Sequence, residues 1–309
     1  MPLNLAPGPH GGDGARIAEL LGVPVDEILD LSASLNPLAR DPRPIVARHL
    51  DSISRYPDPR AATRALATTM GVDPERLLLT NGGAEAINLV ASLIGGSVLE
   101  PEFSLHPRTG GPRWRSNPHN PLGLLAPDNE RAAVWDEAFY PLATGHWTRG
   151  DEDCVVVGSL TKLLACPGLR IGYIVAEPTF ISACRERQSA WSLNGLACEA
   201  LSELLDGLDL EETCAGIGDL RAQLREMLCS HGLTVRPSDA NWLLVERPGL
   251  REALIEHAIV VRDGANFGLD GVARIAVPSV EGIERLDRAL DRLDESAASV
   301  ARNGPRNRQ

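Results

Sequence analysis

Val155-Val156-Val157-Gly158-Ser159-Leu160-Thr161-Lys162-Leu163-Leu164-Ala165-Cys166-Pro167-Gly168-Leu169-Arg170-Ile171-Gly172-Tyr173-Ile174-Val175 is the stretch whose reading decides the fold. Both ends are apolar runs of strand length, and between them lie two hydroxyls, a lysine and a Pro-Gly turn. Lys162 is the only lysine in 309 residues, against 29 arginines. Arginine replaces lysine at most solvated positions, but a guanidinium stays protonated and cannot condense with an aldehyde. A sole lysine at a strand end therefore points to chemistry that needs a primary amine.

Outward from this stretch, short apolar runs alternate with segments of helical period. Leu77–Thr80 reads as a strand that ends at Asn81-Gly82-Gly83 and opens a helix over 84–94. Ala133–Trp135 leads into Asp136-Glu137-Ala138. Such alternation predicts an α/β fold on a mainly parallel sheet, with the polar residues at strand ends. From about Asp219 the pattern is helix, strand (242–246), helix (250–257), strand (259–262), strand (274–277) and helix (281–293), a smaller α/β domain. The expected division is an N-terminal segment 1–40, a large domain 41–205, a small domain 206–295 and a polar, disordered tail 296–309.

Composition narrows the function. A net charge of −12 and a pI near 5.1 disfavour nucleic-acid backbones and anionic membranes as partners. The most apolar stretch, 84–99, is broken by Glu85, Asn88 and Gly95-Gly96 and is too short to span a bilayer. Six cysteines without Cys-x-x-Cys or zinc spacing point to a reducing, cytoplasmic setting and to no metal site.

Taken in order, the motifs resemble those of the class I and II aminotransferases, fold-type I enzymes that use pyridoxal 5′-phosphate. Ser159-x-Thr161-Lys162 followed by Gly168-Leu169-Arg170-x-Gly172-Tyr173 is similar to the family's cofactor-lysine signature. The resemblance implies an aspartate aminotransferase-like fold in which Lys162 bears the covalent link to the cofactor. It implies that Ser159, Thr161 and Arg170 hold the cofactor phosphate, together with the amides of Gly83 and Ala84. Helix-terminus physics supports those amides independently, because unpaired N–H groups and the dipole both favour an anion there. Asp136 would pair with the ring nitrogen, Asn120 with the ring oxygen, and His106 would stack on the ring where relatives place tyrosine. Taken singly each is ambiguous: Asp136 could cap a helix, Asn120-Pro121 could be turn chemistry, and Arg262 or Arg274 could be surface arginines. Their joint order favours the cofactor reading.

The N-terminal third narrows the resemblance. His10-Gly11-Gly12-Asp13, Asp30-Leu31-Ser32-Ala33-Ser34-Leu35-Asn36-Pro37 and Arg55-Tyr56-Pro57-Asp58 resemble the threonine-phosphate decarboxylase branch involved in cobalamin biosynthesis. The histidinol-phosphate aminotransferase branch shares Arg-Tyr-Pro-Asp and usually lacks the His-Gly-Gly opening. This implies substrate contacts from His10, Asn36, Arg262 and Arg274. It also implies a homodimer in which Tyr56 reaches the partner's cofactor phosphate. Decarboxylation is the preferred activity, transamination the alternative, and a cofactor-binding partner protein without turnover a third reading. The last is motivated by a large domain several tens of residues shorter than in relatives, between Pro101 and Asn120 and between Gly123 and Asp136. A strand and a helix are expected to be missing there.

Overall fold

The structure is a computed structural model that describes Gly8 and residues 10–151 and 153–303. It divides into two compact units, the larger formed by Leu35–Gly218 with Ser238–Asn241.

The larger unit is built on five strands in the spatial order Leu77–Asn81, Ile171–Val175, Val155–Ser159, Val134–Asp136 and Trp114–Ser116. Four point the same way, so the sheet is mainly parallel by direction, and Ile171–Val175 alone runs against both neighbours. The reason lies in the deciding stretch itself. Its two apolar ends are joined by a connection too short to return for parallel pairing, so they form an antiparallel pair with Lys162 in the connection. The helices Gly82–Ile94 and Pro178–Arg187 share a core with this sheet. Ala86, Ile87, Val90, Ile181 and Cys184 pack with Leu78, Val155 and Ile174.

The shortening is visible at the edge. Trp114–Ser116 and Val134–Asp136 are parallel neighbours, yet no helix connects them, although such crossovers usually carry one. The chain closes the edge strand itself: Trp114 N–H donates to Ser97 O at 2.9 Å and Ser116 N–H to the Glu102 carboxylate at 3.1 Å. All three residues of that strand are buried.

The smaller unit comprises the described residues up to Ser34, Asp219–Pro237 and the chain from Trp242 onward. Its sheet is antiparallel throughout, in the order Arg262–Asp263, Val272–Ala276, Trp242–Glu246, Thr234–Val235. Leu220, Leu224 and Leu228 of the helix Leu210–Ser230, with Leu286 and Leu290 of the helix Val280–Asn303, pack with Leu243, Val245 and Ile275.

Three boundaries differ from the sequence reading. The N-terminal stretch is not a separate segment, because Leu29–Asp30 pairs in parallel with Ile259–Val260, and Leu31 O accepts from Ala276 N–H at 2.9 Å. That pairing also splits the strand expected over 259–262, since Arg262–Asp263 belongs to the other sheet. The division between units falls at Gly218–Asp219, inside the helix Leu210–Ser230, where the sequence pattern changes and not at the expected domain boundary of residue 206. At the C-terminus the backbone continues as helix to Asn303, through a stretch expected to be disordered. Ala297, Ala298 and Ala301 are strong helix formers, and residues 304–309 lie outside the described residues. No described helix is long and apolar enough to cross a membrane.

Candidate active site

Lys162 sits in the single turn Leu160–Leu163, which starts at Ser159, whose Oγ accepts from Thr161 N–H at 3.3 Å. Lys162 is partly accessible, with Nζ 5.9 Å from the centre of the Phe139 ring. Asn36 braces this turn from below. Its backbone N–H donates to Lys162 O at 3.0 Å and its side-chain Nδ2 to Leu163 O at 2.9 Å, while its Oδ1 accepts from Leu38 N–H. Asn36, expected to touch substrate, is buried, and both polar atoms of its side chain also engage backbone. What it positions is the lysine.

Beside the lysine turn the residues expected to hold a phosphate do converge. The helix Gly82–Ile94 begins at the end of the Leu77 strand, and Gly82 has φ +73°. A Cβ on Gly82 would stand 2.2 Å from Arg170 Nη2, and one on Gly83 3.3 Å from Ser159 Cβ. The glycine turn, Ser159 and Arg170 are thus mutual neighbours at a helix N-terminus, an arrangement suited to an anion. Thr161 is buried, and its Oγ1 has no hydrogen-bond partner among the described residues. A buried hydroxyl left unpaired is costly unless a ligand completes it.

Asp136 ends its strand with Oδ2 at 2.9 Å from His106 Nε2, and its Oδ1 accepts from Ala138 N–H at 3.1 Å. The Ala138 contact is a local turn and not a helix cap, since the next helix, Tyr140–Thr144, starts at Phe139 without a side-chain cap. His106 does not offer a ring for stacking on a cofactor. Its side chain is 0% exposed, enclosed by Phe103 and Trp114 at 5.5 Å each. It is instead the partner of Asp136. Glu102 lies 3.9 Å from His106 Nδ1 and accepts from Ser116 through both oxygens. Asn120 is buried nearby in sequence terms, its N–H donating to Ser116 Oγ at 3.0 Å. Next to Asp136, Glu137 is 0% exposed, and burial pushes its carboxyl up to about 7.

In the smaller unit Arg262 and Arg274 are buried and directly opposite each other in the antiparallel ladder. Like charges so placed repel, and burial followed by the charge of Arg262 pulls Arg274 down to about 9. Arg262 Nη1 donates to Gly8 O at 3.1 Å. Gly8 N–H donates to Asp13, and Asp13 pairs with a third buried arginine, Arg251, at 3.3 Å. The His-Gly-Gly-Asp motif is thereby tied to the arginine pair. Gly11 has no space for a side chain, as a Cβ would lie 2.2 Å from Ser32 O, and Gly12 N–H donates to Ser32 Oγ at 2.8 Å. His10 itself is exposed on this loop.

Tyr56 is 77% exposed and stacks on Trp191, ring centres 4.6 Å apart. Arg251, Asp13 and the Glu102–His106 pair were not assigned these roles from sequence. For Asp13 the signal was its place in the glycine motif, whereas Arg251 reads like any helical arginine.

The family model for aminotransferase class I and II matches residues 115–293, which is more than half of the chain. The chain belongs to the class I and II aminotransferases. As an enzyme of this family it uses pyridoxal 5′-phosphate, and the lysine turn, the glycine turn and the unpaired Thr161 hydroxyl fit that group. The threonine-phosphate decarboxylase of Salmonella typhimurium is 30% identical over 346 aligned positions, covering 91% of this chain and 95% of that one. The alignment is longer than the chain, in keeping with the shortened large unit. Histidinol-phosphate aminotransferase 2 of Methylococcus capsulatus is 25% identical, covering 86% and 90%. In fold, this aminotransferase-family chain is similar to the L-threonine-O-3-phosphate decarboxylase of Porphyromonas gingivalis, with a TM-score of 0.73 at 23% identity, covering 87% and 100%.

Proposed function

We propose that this enzyme is a cytoplasmic decarboxylase of a small phosphorylated amino acid, L-threonine O-3-phosphate, of the kind used in cobalamin biosynthesis, and that it works as a homodimer. Bound pyridoxal phosphate supplies an electron sink for a bond breaking at the substrate's Cα. Lys162 Nζ holds the cofactor and moves protons at Cα. Asp136, kept in place by His106 and the Ala138 amide, holds the proton on the ring nitrogen, and Asn120 binds the ring oxygen. Ser159, Thr161, Arg170 and the amides of Gly83 and Ala84 bind the cofactor phosphate. Arg262 and Arg274 bind the substrate's acidic groups, for which a planar guanidinium is suited, and His10 approaches the substrate from the same unit as these arginines.

The observation that carries decarboxylation over transamination is the His10–Asp13 loop. Its Gly11 has no room for a Cβ, and its Asp13 holds both Gly8 and Arg251, so the motif that separates the two branches in sequence is a built part of the arginine cluster. The higher identity to a decarboxylase supports the same choice. The exposed Tyr56–Trp191 stack, with Leu50 and Ile53 also exposed, supports a second copy as its cover.

The test is mass spectrometry of the product after incubating the protein and pyridoxal phosphate with threonine O-phosphate and no amino acceptor. Loss of carbon dioxide is expected. Unchanged substrate, followed by amino transfer from histidinol phosphate to 2-oxoglutarate, would replace this reading with the transaminase. No reaction on either, with the cofactor bound, would favour a partner protein without turnover.

A further inference from the structure

Arg262 and Arg274 share one aromatic neighbour. The Arg262 guanidinium carbon is 5.2 Å from the centre of the Phe267 ring and that of Arg274 is 5.4 Å from it. Arg274 also lies 5.1 Å from the ring of Trp242, which is fully buried. Trp242 belongs to the core, but Phe267 is only partly buried and stands in the turn Ala265–Phe267 that joins the two arginine-bearing strands.

We propose that Phe267 is a positioning residue, which sets the spacing and tilt of the two guanidiniums toward an anionic substrate. The inference rests on the reading of Arg262 and Arg274 as anion-binding. Two buried like charges opposite each other on a ladder would swing apart if their stems were free, since both repulsion and rotamer entropy favour it. The negative face of one ring attracts both cations and so opposes that separation.

The turn itself is held firmly enough for the ring to act as a stop. Asp263 Oδ1 accepts from Ala265 N–H at 2.9 Å, and Phe267 N–H donates to Gly264 O at 2.8 Å. Gly264 leaves no room for a side chain, since a Cβ would be 2.5 Å from Val272 O, and Gly268 turns the chain back with φ +70°. Asn266 Nδ2 donates to Gly8 O at 3.0 Å, the carbonyl that Arg262 also binds. The residue before the ring thus ties the turn to the His10–Asp13 loop.

The experiment compares wild type, F267L, F267Y and R274Q, all loaded with pyridoxal phosphate so that the cofactor's own phosphate site is filled. Inorganic phosphate binding is measured by calorimetry, and KM and kcat with threonine O-phosphate. F267L should weaken phosphate binding and raise KM about tenfold, the scale of losing a shared cation–π contact, with kcat at saturation and cofactor affinity within about twofold of wild type. F267Y, which keeps the ring, should restore both constants. A merely structural role would lower kcat and cofactor binding together and would not be rescued selectively. If R274Q abolishes phosphate binding while F267L leaves it unchanged, the positioning role is overturned and the anion site stands. If R274Q also leaves it unchanged, the anion reading fails first. Should F267L not fold, an unaltered phosphate affinity in F267M, which fills the space without an aromatic face, would overturn the proposal equally.

Discussion

His106 Nε2 stands 2.9 Å from Asp136 Oδ2, and the imidazole is wholly enclosed. A carboxylate at the end of a parallel strand is thus held by a side chain from the loop that follows Pro101. In the role proposed for it, Asp136 must keep a fixed direction toward a ring nitrogen, and an enclosed imidazole is a stiffer partner than water. Replacing His106 by phenylalanine keeps the volume roughly and removes the bond, at a cost on the order of 1–3 kcal/mol for the carboxylate left behind. Titration of the apo protein with pyridoxal phosphate should then show affinity about tenfold weaker or worse. Unaltered affinity and absorbance would show that Asp136 does not depend on His106.

Only one amine side chain is available to the cofactor. Borohydride reduction in the presence of pyridoxal phosphate should leave a permanent mass increase on the peptide containing Lys162. K162A should show none on any internal peptide, together with loss of detectable turnover. A retained increase elsewhere in K162A would refute the assignment.

The close approach of Gly11 to Ser32 O implies that G11A forces the N-terminal loop away from its neighbour. The cost should be on the order of 1–3 kcal/mol, as for overpacking elsewhere. Because the loop is tied to Arg262 through Gly8, KM for the phosphorylated substrate should rise with it. Thermal melting and steady-state kinetics on one preparation check both; an unchanged melting temperature would mean the loop is not held as described.

Glu137 has its folded carboxyl raised from 4.5 to about 7 by burial. Between these values the folded protein holds a proton that the unfolded chain releases, so stability falls as pH rises from about 4.5 to 7 and then levels off. E137Q removes the ionisable group and should gain on the order of 3 kcal/mol over wild type at pH 8, from the size of a one-unit shift. The gain should vanish near pH 4.5. Melting curves across that range decide it, and a pH-independent difference would count against a buried, protonated Glu137.

His231 in the smaller unit bridges two carboxylates of the C-terminal helix, Asp287 at 2.7 Å and Asp294 at 3.0 Å. Burial opposes its charge, but the two carboxylates outweigh burial and raise its pKa above 6.5. Its contribution is therefore fully present below pH 6.5 and is lost as pH rises through the higher folded value. H231Q should flatten that part of the stability profile while leaving cofactor binding unchanged. If H231Q and wild type lose stability in parallel between pH 6 and 8, the bridge is not responsible.

The residue types and their order were enough to indicate the family and its cofactor. The lone lysine after a strand, the glycine pair opening a helix, and a carboxylate ending a strand are local consequences of backbone rules, and local rules can be read along a chain. The α/β class was legible for the same reason, as most strands were. What spacing along the chain cannot contain is which surfaces meet. That Asn36 braces the lysine turn depends on a hydrogen bond across 127 positions. That His106 turns inward to Asp136 depends on how a shortened loop crosses the sheet edge. That Arg262 and Arg274 lie opposite each other over Phe267 is a matter of register, which follows from hairpin geometry and not from the identity of either arginine. The sequence by itself determined the fold class and the family; the tertiary structure alone decided which of these residues meet and which brace others, because those contacts join segments remote in the chain.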